Sequence, residues 1–214
     1  MQSAKNYTYL ALGDSYNIGE QVKINESFPY QTVYRLRQQN LLFTAPEIIA
    51  TTGFTTDELN VAMDEATLLP QYDFVSLLIG VNNQYRGRLV EDFEPDFEIL
   101  LNRAIDFTGK QPAHVFVLSI PDWSVTPFAT GSDGPTIAKA IDAFNKVCKR
   151  LTEKKQANFI DITLSQRADG SKESFLAGDK LHPSGKEYSK WAIQLSGQIM
   201  QQLQNEIFIG VISN

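Results

Sequence analysis

The stretch "YLALGDSYNIGE", residues 9–20, decides how the chain is read. An apolar, strand-forming run stops abruptly at Gly13. Asp14, Ser15 and a loose polar stretch ending at Gly19 follow. A buried strand that breaks into Gly-Asp-Ser this early starts an α/β unit and leaves a hydroxyl at its carboxyl end. Many residue pairs could make the same turn, so the weight given to Ser15 depends on what lies elsewhere.

Strand-like runs recur along the chain. Residues 7–12, 47–50, 74–79 ("FVSLLI", closed by Gly80), 114–120 ("HVFVLSI") and 158–162 predict five strands. Amphipathic stretches separate them. Residues 28–39 place Val33 and Leu36 at helical spacing, and residues 90–107 align Phe97, Leu100, Leu101, Ala104 and Ile105 on one face. Residues 136–155 carry Ile137, Ile141, Phe144 and Cys148 along one stripe, and residues 184–204 form the last long helix. In "TTGFTTDEL", Thr55 or Thr56 can cap a helix whose first turn holds Asp57 and Glu58. The tail "IFIGVISN" is apolar and is expected to pack along the body or on another chain. Strands alternating with helices mean βαβ units, a parallel sheet covered on both faces and few possible topologies. The predicted fold is α/β, with a flavodoxin-like strand order 2-1-3-4-5 in a single domain over residues 1–214. Ligands of such sheets bind beyond the carboxyl ends of the strands, and Ser15, Gly53 and Asn82 all follow strands.

Composition narrows the partners. Nineteen basic against 25 acidic residues give a net charge of −6, which argues against a broad cationic footprint for nucleic acid. Cys148 is the single cysteine, so no intramolecular disulfide forms. No apolar stretch approaches the roughly 20 residues that span a bilayer, so no integral membrane association is expected. Residues 1–12 lack the longer apolar segment of a secretory signal. The expected location is cytoplasmic, or secreted or periplasmic if a signal has been removed ahead of Met1.

A serine hydroxyl needs a base to become a nucleophile, and histidine, with an ordinary pKa near 6.5, is the usual one. The chain has two histidines. His114 opens a strand at the amino end of the sheet, far from Ser15, and reads as a strand-edge residue. His182 lies in "GDKLHPSGKEY", where Pro183 disfavours helical geometry at His182 and suits the first turn of the helix that follows. Asp179, three residues earlier, can reach one ring nitrogen and leave the other to face the serine, an orienter–base–nucleophile arrangement. Standing alone, Asp179 and His182 would read as a helix cap. Three donors could hold the charge on an attacked carbonyl oxygen: the Ser15 N–H, the Gly53 N–H and the Asn82 side-chain amide.

Taken together, four segments resemble the SGNH hydrolases, the GDSL esterases and lipases. "GDSY" with Gly19 matches the first block, "TTGFTTDEL" the second, "IGVNN" the third and "DKLHPSGKEY" the fourth. The resemblance runs from Gly13 to Gly185. It implies a three-layer α/β/α sandwich and hydrolysis of a small-molecule ester through an acyl-serine, with no cofactor and no metal. It also implies Ser15, Asp179 and His182 as catalytic residues, with Ser15, Gly53 and Asn82 as the oxyanion hole. Two positions depart from the pattern. Tyr16 stands where leucine or isoleucine is common, a position expected to be structural and tolerant. Asn83 replaces an aspartate, keeping one acceptor oxygen and losing the charge. Asp14 reads as a loop-fixing acceptor rather than the triad acid.

In "QYRGR", Arg86 or Arg88 could hold an anionic group, but each reads better as a brace or a solvated residue. The loop "PDWSVTPFATGSDGP" offers Trp123 and Phe128 as walls of an acyl or aryl pocket. Cys148 on its apolar stripe reads as a buried structural thiol. The rival from another class is a non-catalytic flavodoxin-like module holding a small ligand, in which Ser15 would be unreactive towards a fluorophosphonate.

Overall fold

The apolar runs become the strands of a parallel sheet in the computed structural model, which describes residues 5–212. The first run is split, against the expectation of one strand over residues 7–12. Asn6–Tyr7 (β1) and Tyr9–Gly13 (β2) flank Thr8, and β1 pairs with Leu42–Phe43 (β3) in a small separate sheet. Thr8 makes the break because its N–H (2.8 Å) and hydroxyl (3.0 Å) both donate to Asp73 Oδ2.

The main sheet is completed by Glu47–Ala50 (β4), Phe74–Leu78 (β5), Val115–Leu118 (β6) and Asn158–Ile160 (β7). Its order is β4-β2-β5-β6-β7 with every pair parallel, which is the expected 2-1-3-4-5. All residues of β2, β5 and β6 are buried. Strands covered on both faces read as continuous apolar runs, and these did.

Eight helices connect the strands among the described residues. They are Ser15–Ile18 (α1), Phe28–Gln38 (α2), Thr56–Glu65 (α3), Val81–Tyr85 (α4), Val90–Phe107 (α5), Gly134–Lys154 (α6), Thr163–Asp169 (α7) and Gly185–Ile212 (α8). Helix α2 packs on α8, while α3 packs on α5 and α5 on α6, giving the α/β/α sandwich. Thr55 is the cap of α3, since Glu58 Oε2 accepts from both its N–H (2.8 Å) and its hydroxyl (2.9 Å). Helix α6 starts at Gly134, two residues before the sequence suggests, because Asp133 caps it and Pro135 fits its first turn.

Helix α8 continues past residue 204 to Ile212. Ile207 and Phe208 are exposed, and residues 213–214 of the apolar tail lie outside the described residues. His114 ends a 3-10 turn ahead of β6, at the amino end of the sheet. It is buried rather than a simple edge residue. Its ring stacks on Phe74 (4.9 Å), its Nδ1 lies 2.7 Å from the Asp73 carbonyl, and its Nε2 meets Glu206 of α8. The buried aromatic residues Tyr16, Phe28, Tyr188 and Trp191 pack against one another between the end of β2 and helices α2 and α8. Burial pushes the Cys148 thiol far up, as suits a packing residue.

Candidate active site

The exit from β2 is a tight corner. A Cβ at Gly13 would lie 2.1 Å from Asn17 Oδ1 and 2.2 Å from the Leu78 carbonyl oxygen, so only glycine fits. Asp14 caps α1 by accepting the Tyr16 N–H at 3.1 Å, and Gly19 closes the helix at φ +72°. Ser15 is thereby fixed at the first position of α1. Asp14 has almost no exposure, and among the described residues its second oxygen, Oδ2, has no hydrogen-bond partner. Burial pushes its carboxyl up to about 7, with the Tyr16 N–H pulling the other way.

His182 comes from the loop before α8. Its Nε2 lies 2.9 Å from Ser15 Oγ, and its Nδ1 lies 2.5 Å from Asp179 Oδ2. The other Asp179 oxygen accepts the N–H groups of Leu181 and His182, both at 3.0 Å. Burial pushes the Asp179 carboxyl up, but the hydrogen bonds from the His182 ring and these two N–H groups outweigh it and hold it below the ordinary range. Backbone bonds from Ala177 N–H to the His182 carbonyl (2.8 Å) and from Ser184 N–H to the Phe175 carbonyl (2.9 Å) pin the loop. Tyr16, expected to be a tolerant structural position, packs on the imidazole at 5.5 Å. In this order the imidazole can take the hydroxyl proton while the carboxylate orients it and stays ionised.

Two further strand exits converge on Ser15. Gly53, after β4, has φ +86°, a left-handed conformation that favours glycine. Among the described residues neither its N–H nor that of Ser15 donates to a protein acceptor. Asn82, after β5, donates one amide hydrogen to the Phe54 carbonyl at 3.0 Å and keeps a second free for another acceptor. Asn83 is buried; its Oδ1 accepts the Thr56 N–H (3.1 Å) and its Nδ2 donates to Thr56 Oγ1 (2.8 Å). The amide therefore uses both ends where a carboxylate would only accept. Arg86 is a brace, donating to the Gly53 carbonyl at 2.6 Å and to Glu58 at 3.1 Å, and Arg88 pairs with Asp57 at 2.6 Å.

These groups open on a cavity of about 170 Å³. Ser15, Gly53, Asn82 and His182 line its polar side, and Tyr16, Val81, Tyr85, Trp123, Phe128 and Leu181 its apolar side. Trp123 and Phe128, offered by the sequence as walls of an acyl or aryl pocket, both line this cavity. Tyr85 is the ring the sequence reading missed. It stands edge-on to Trp123 at 5.3 Å and 6.5 Å from Phe128. Its signal was its place three residues after Asn82, hidden because "VNNQY" reads as a turn rather than a helix.

The sequence pattern of the GDSL-like Lipase/Acylhydrolase family matches residues 11–189. No curated protein matches the chain. Among solved structures, the chain is similar to a lipase/acylhydrolase from Enterococcus faecalis, at 17% identity and TM-score 0.72 over 90% of this chain and 95% of that one. It is similar to a lipase from a goat rumen metagenome, at 18% identity and TM-score 0.73 over 90% and 97%. An acetylxylan esterase from Geobacillus stearothermophilus shares 16% identity, with TM-score 0.69 over 94% and 96%.

Proposed function

Because the chain belongs to the GDSL-like lipase/acylhydrolase family, we propose that this hydrolase is a serine esterase working through an acyl-serine on Ser15. The observation that carries the reading is the run Ser15 Oγ, His182 Nε2, His182 Nδ1 and Asp179 Oδ2, with spacings of 2.9 and 2.5 Å. His182 Nε2 takes the hydroxyl proton as Ser15 Oγ bonds to the ester carbonyl carbon. The carbonyl oxygen gains the charge and is held by the N–H groups of Ser15 and Gly53 and by the free amide hydrogen of Asn82. Asp179 stays ionised, fixes the tautomer and offsets the imidazolium charge. The C–O bond to the alcohol then breaks, and the alcohol leaves with the proton from His182. Water gives a proton to His182, adds to the acyl carbon and repeats the sequence, returning the proton to Ser15 as the acid leaves.

The departing alcohol must lie beside His182, which leaves the apolar lining of Val81, Tyr85 and Trp123 for the acyl group. That wall is apolar, and the cavity is small and open to solvent. The substrate class is therefore esters of short or medium apolar acyl groups. No helix of the described residues is long and apolar enough to cross a membrane.

The test is a panel of p-nitrophenyl esters of increasing acyl length, run on wild type and on Ser15→Ala. Hydrolysis that depends on Ser15 supports the reading. A Ser15→Ala protein that cleaves p-nitrophenyl acetate as fast as wild type contradicts it.

A further inference from the structure

Trp123 is nearly buried, and an indole N–H out of water needs an acceptor. Its acceptor is Gln84 Oε1, at 2.7 Å. Gln84 lies on α4, the five-residue helix that also carries Val81, Asn82 and Tyr85. One hydrogen bond thus joins the loop after β6, which supplies Trp123, to the helix that supplies the oxyanion donor Asn82. Phe128, the third ring of the wall, is tied to the opposite side of the site. Its N–H donates to the Lys180 carbonyl at 3.3 Å, inside the loop that holds Asp179 and His182. Gln84 supplies the hydrogen bond between Trp123 and α4, beside the edge-on contact that Tyr85 of the same helix makes with that ring, and it is not among the residues that line the cavity.

We propose that Gln84 is a specificity-determining positioning residue: by holding the Trp123 indole it sets the register between the apolar wall and Asn82, and so decides which acyl groups Ser15 turns over. This rests on the esterase reading above. A longer acyl chain touches the wall while its carbonyl oxygen must reach the donors. Both conditions hold at once only if wall and donor move as one body, and small misplacements of reacting groups are costly. An acetyl group is too short to register the wall.

Each buried methylene is worth about 0.8 kcal/mol, or roughly a fourfold rise in kcat/KM, until the wall is filled. Wild type should therefore prefer p-nitrophenyl hexanoate to acetate. Gln84→Met keeps the length of the side chain and removes the strong acceptor, whereas Gln84→Glu keeps an acceptor.

The experiment measures kcat and KM for an acyl series with p-nitrophenol as the fixed alcohol, and for an alcohol series with acetyl fixed. Gln84→Met should lower the hexanoate-to-acetate ratio of kcat/KM by about tenfold, mainly through kcat, and leave the alcohol series parallel to wild type. Gln84→Glu should keep the wild-type ratio. Trp123→Phe should show the ratio of Gln84→Met, with no further loss in the double variant. The proposal is overturned if Gln84→Met lowers acetate and hexanoate equally, as a merely structural role would. An unchanged ratio, or a ratio change confined to the alcohol series, overturns it too. A wild-type protein without Ser15-dependent turnover overturns the esterase reading itself. A wild type that is active, with an indifferent Gln84→Met, overturns only the role of Gln84. The indole N–H resonance of Trp123 gives a readout free of activity: it should shift in Gln84→Met and return towards its wild-type position in Gln84→Glu.

Discussion

Asp14 and Asp179 are two carboxyl groups near one serine, and their surroundings drive them in opposite directions. Asp14 is held at about 7 by burial, well above the roughly 3.9 of an unfolded aspartate. Between these values the folded chain keeps a proton that the unfolded chain has lost, so stability falls as pH rises from about 4 to about 7 and then levels. Asp14→Asn keeps an acceptor for the Tyr16 N–H and never ionises. Its gain over wild type in urea unfolding should grow across that window, to on the order of 4 kcal/mol at pH 8. A gain that does not change with pH would show that the carboxyl has no such burden. Asp179 has the reverse sign, since its carboxyl is held below the ordinary range. Its contribution is present above about 4 and is lost as pH falls through its folded value. Asp179→Asn should lose that contribution at neutral pH while still folding, and kcat should drop by about 10²–10⁴, checked by steady-state kinetics. At this scale Ser15, Gly53, Asn82, Asp179 and His182 were all legible as candidates, because each sits in a short run with its own turn or cap chemistry. Tyr16 and Gln84 were not, because their partners, His182 and Trp123, lie far along the chain.

Helix α4 is the element on which the candidate site turns. It presents Asn82 to the cavity, anchors Asn83 on Thr56, ties Gln84 to Trp123 and is followed by Arg86, which holds the Gly53 carbonyl. Asn82→Ala should lower kcat by about 10²–10³ with a smaller change in KM, as expected for a donor used on the transition state. Arg86→Met removes a charged hydrogen bond of about 1.5–3 kcal/mol from the Gly53 corner, so kcat should fall less than in Asn82→Ala and Arg86→Lys should recover part of it. Equal kinetics for Arg86→Met and wild type would show that the Gly53 corner holds its shape alone. The sequence did not reveal this helix, because two asparagines in five residues suggest a turn and its stability comes from tertiary bonds. The long helices were legible by their apolar spacing. Their ends were less so, since Asp133 begins α6 early and α8 runs on past residue 204.

Over the whole molecule, alternation and handedness narrowed the sheet to a few topologies, of which the expected flavodoxin-like order is the one formed, because they act on every βαβ unit regardless of side-chain detail. The exception, the split at Thr8, depends on long-range hydrogen bonds to Asp73 that no local pattern encodes. The core also reaches the candidate site. Trp191 is fully buried, packs on Tyr16 at 6.0 Å, and Tyr16 packs on His182. Trp191→Ala should cost about 3–5 kcal/mol by thermal or chemical unfolding, and a residual folded fraction should have a lower kcat as Tyr16 loses its support. The central claim is that Ser15 carries the acyl group during turnover. The most direct test is rapid mixing with p-nitrophenyl hexanoate, an acid quench, intact-mass measurement and peptide mapping. The account predicts the mass of one acyl group on the peptide containing Ser15, formed as p-nitrophenol appears and absent in Ser15→Ala. Wild-type turnover with Ser15 unmodified at every time, or the same adduct in Ser15→Ala, would contradict it.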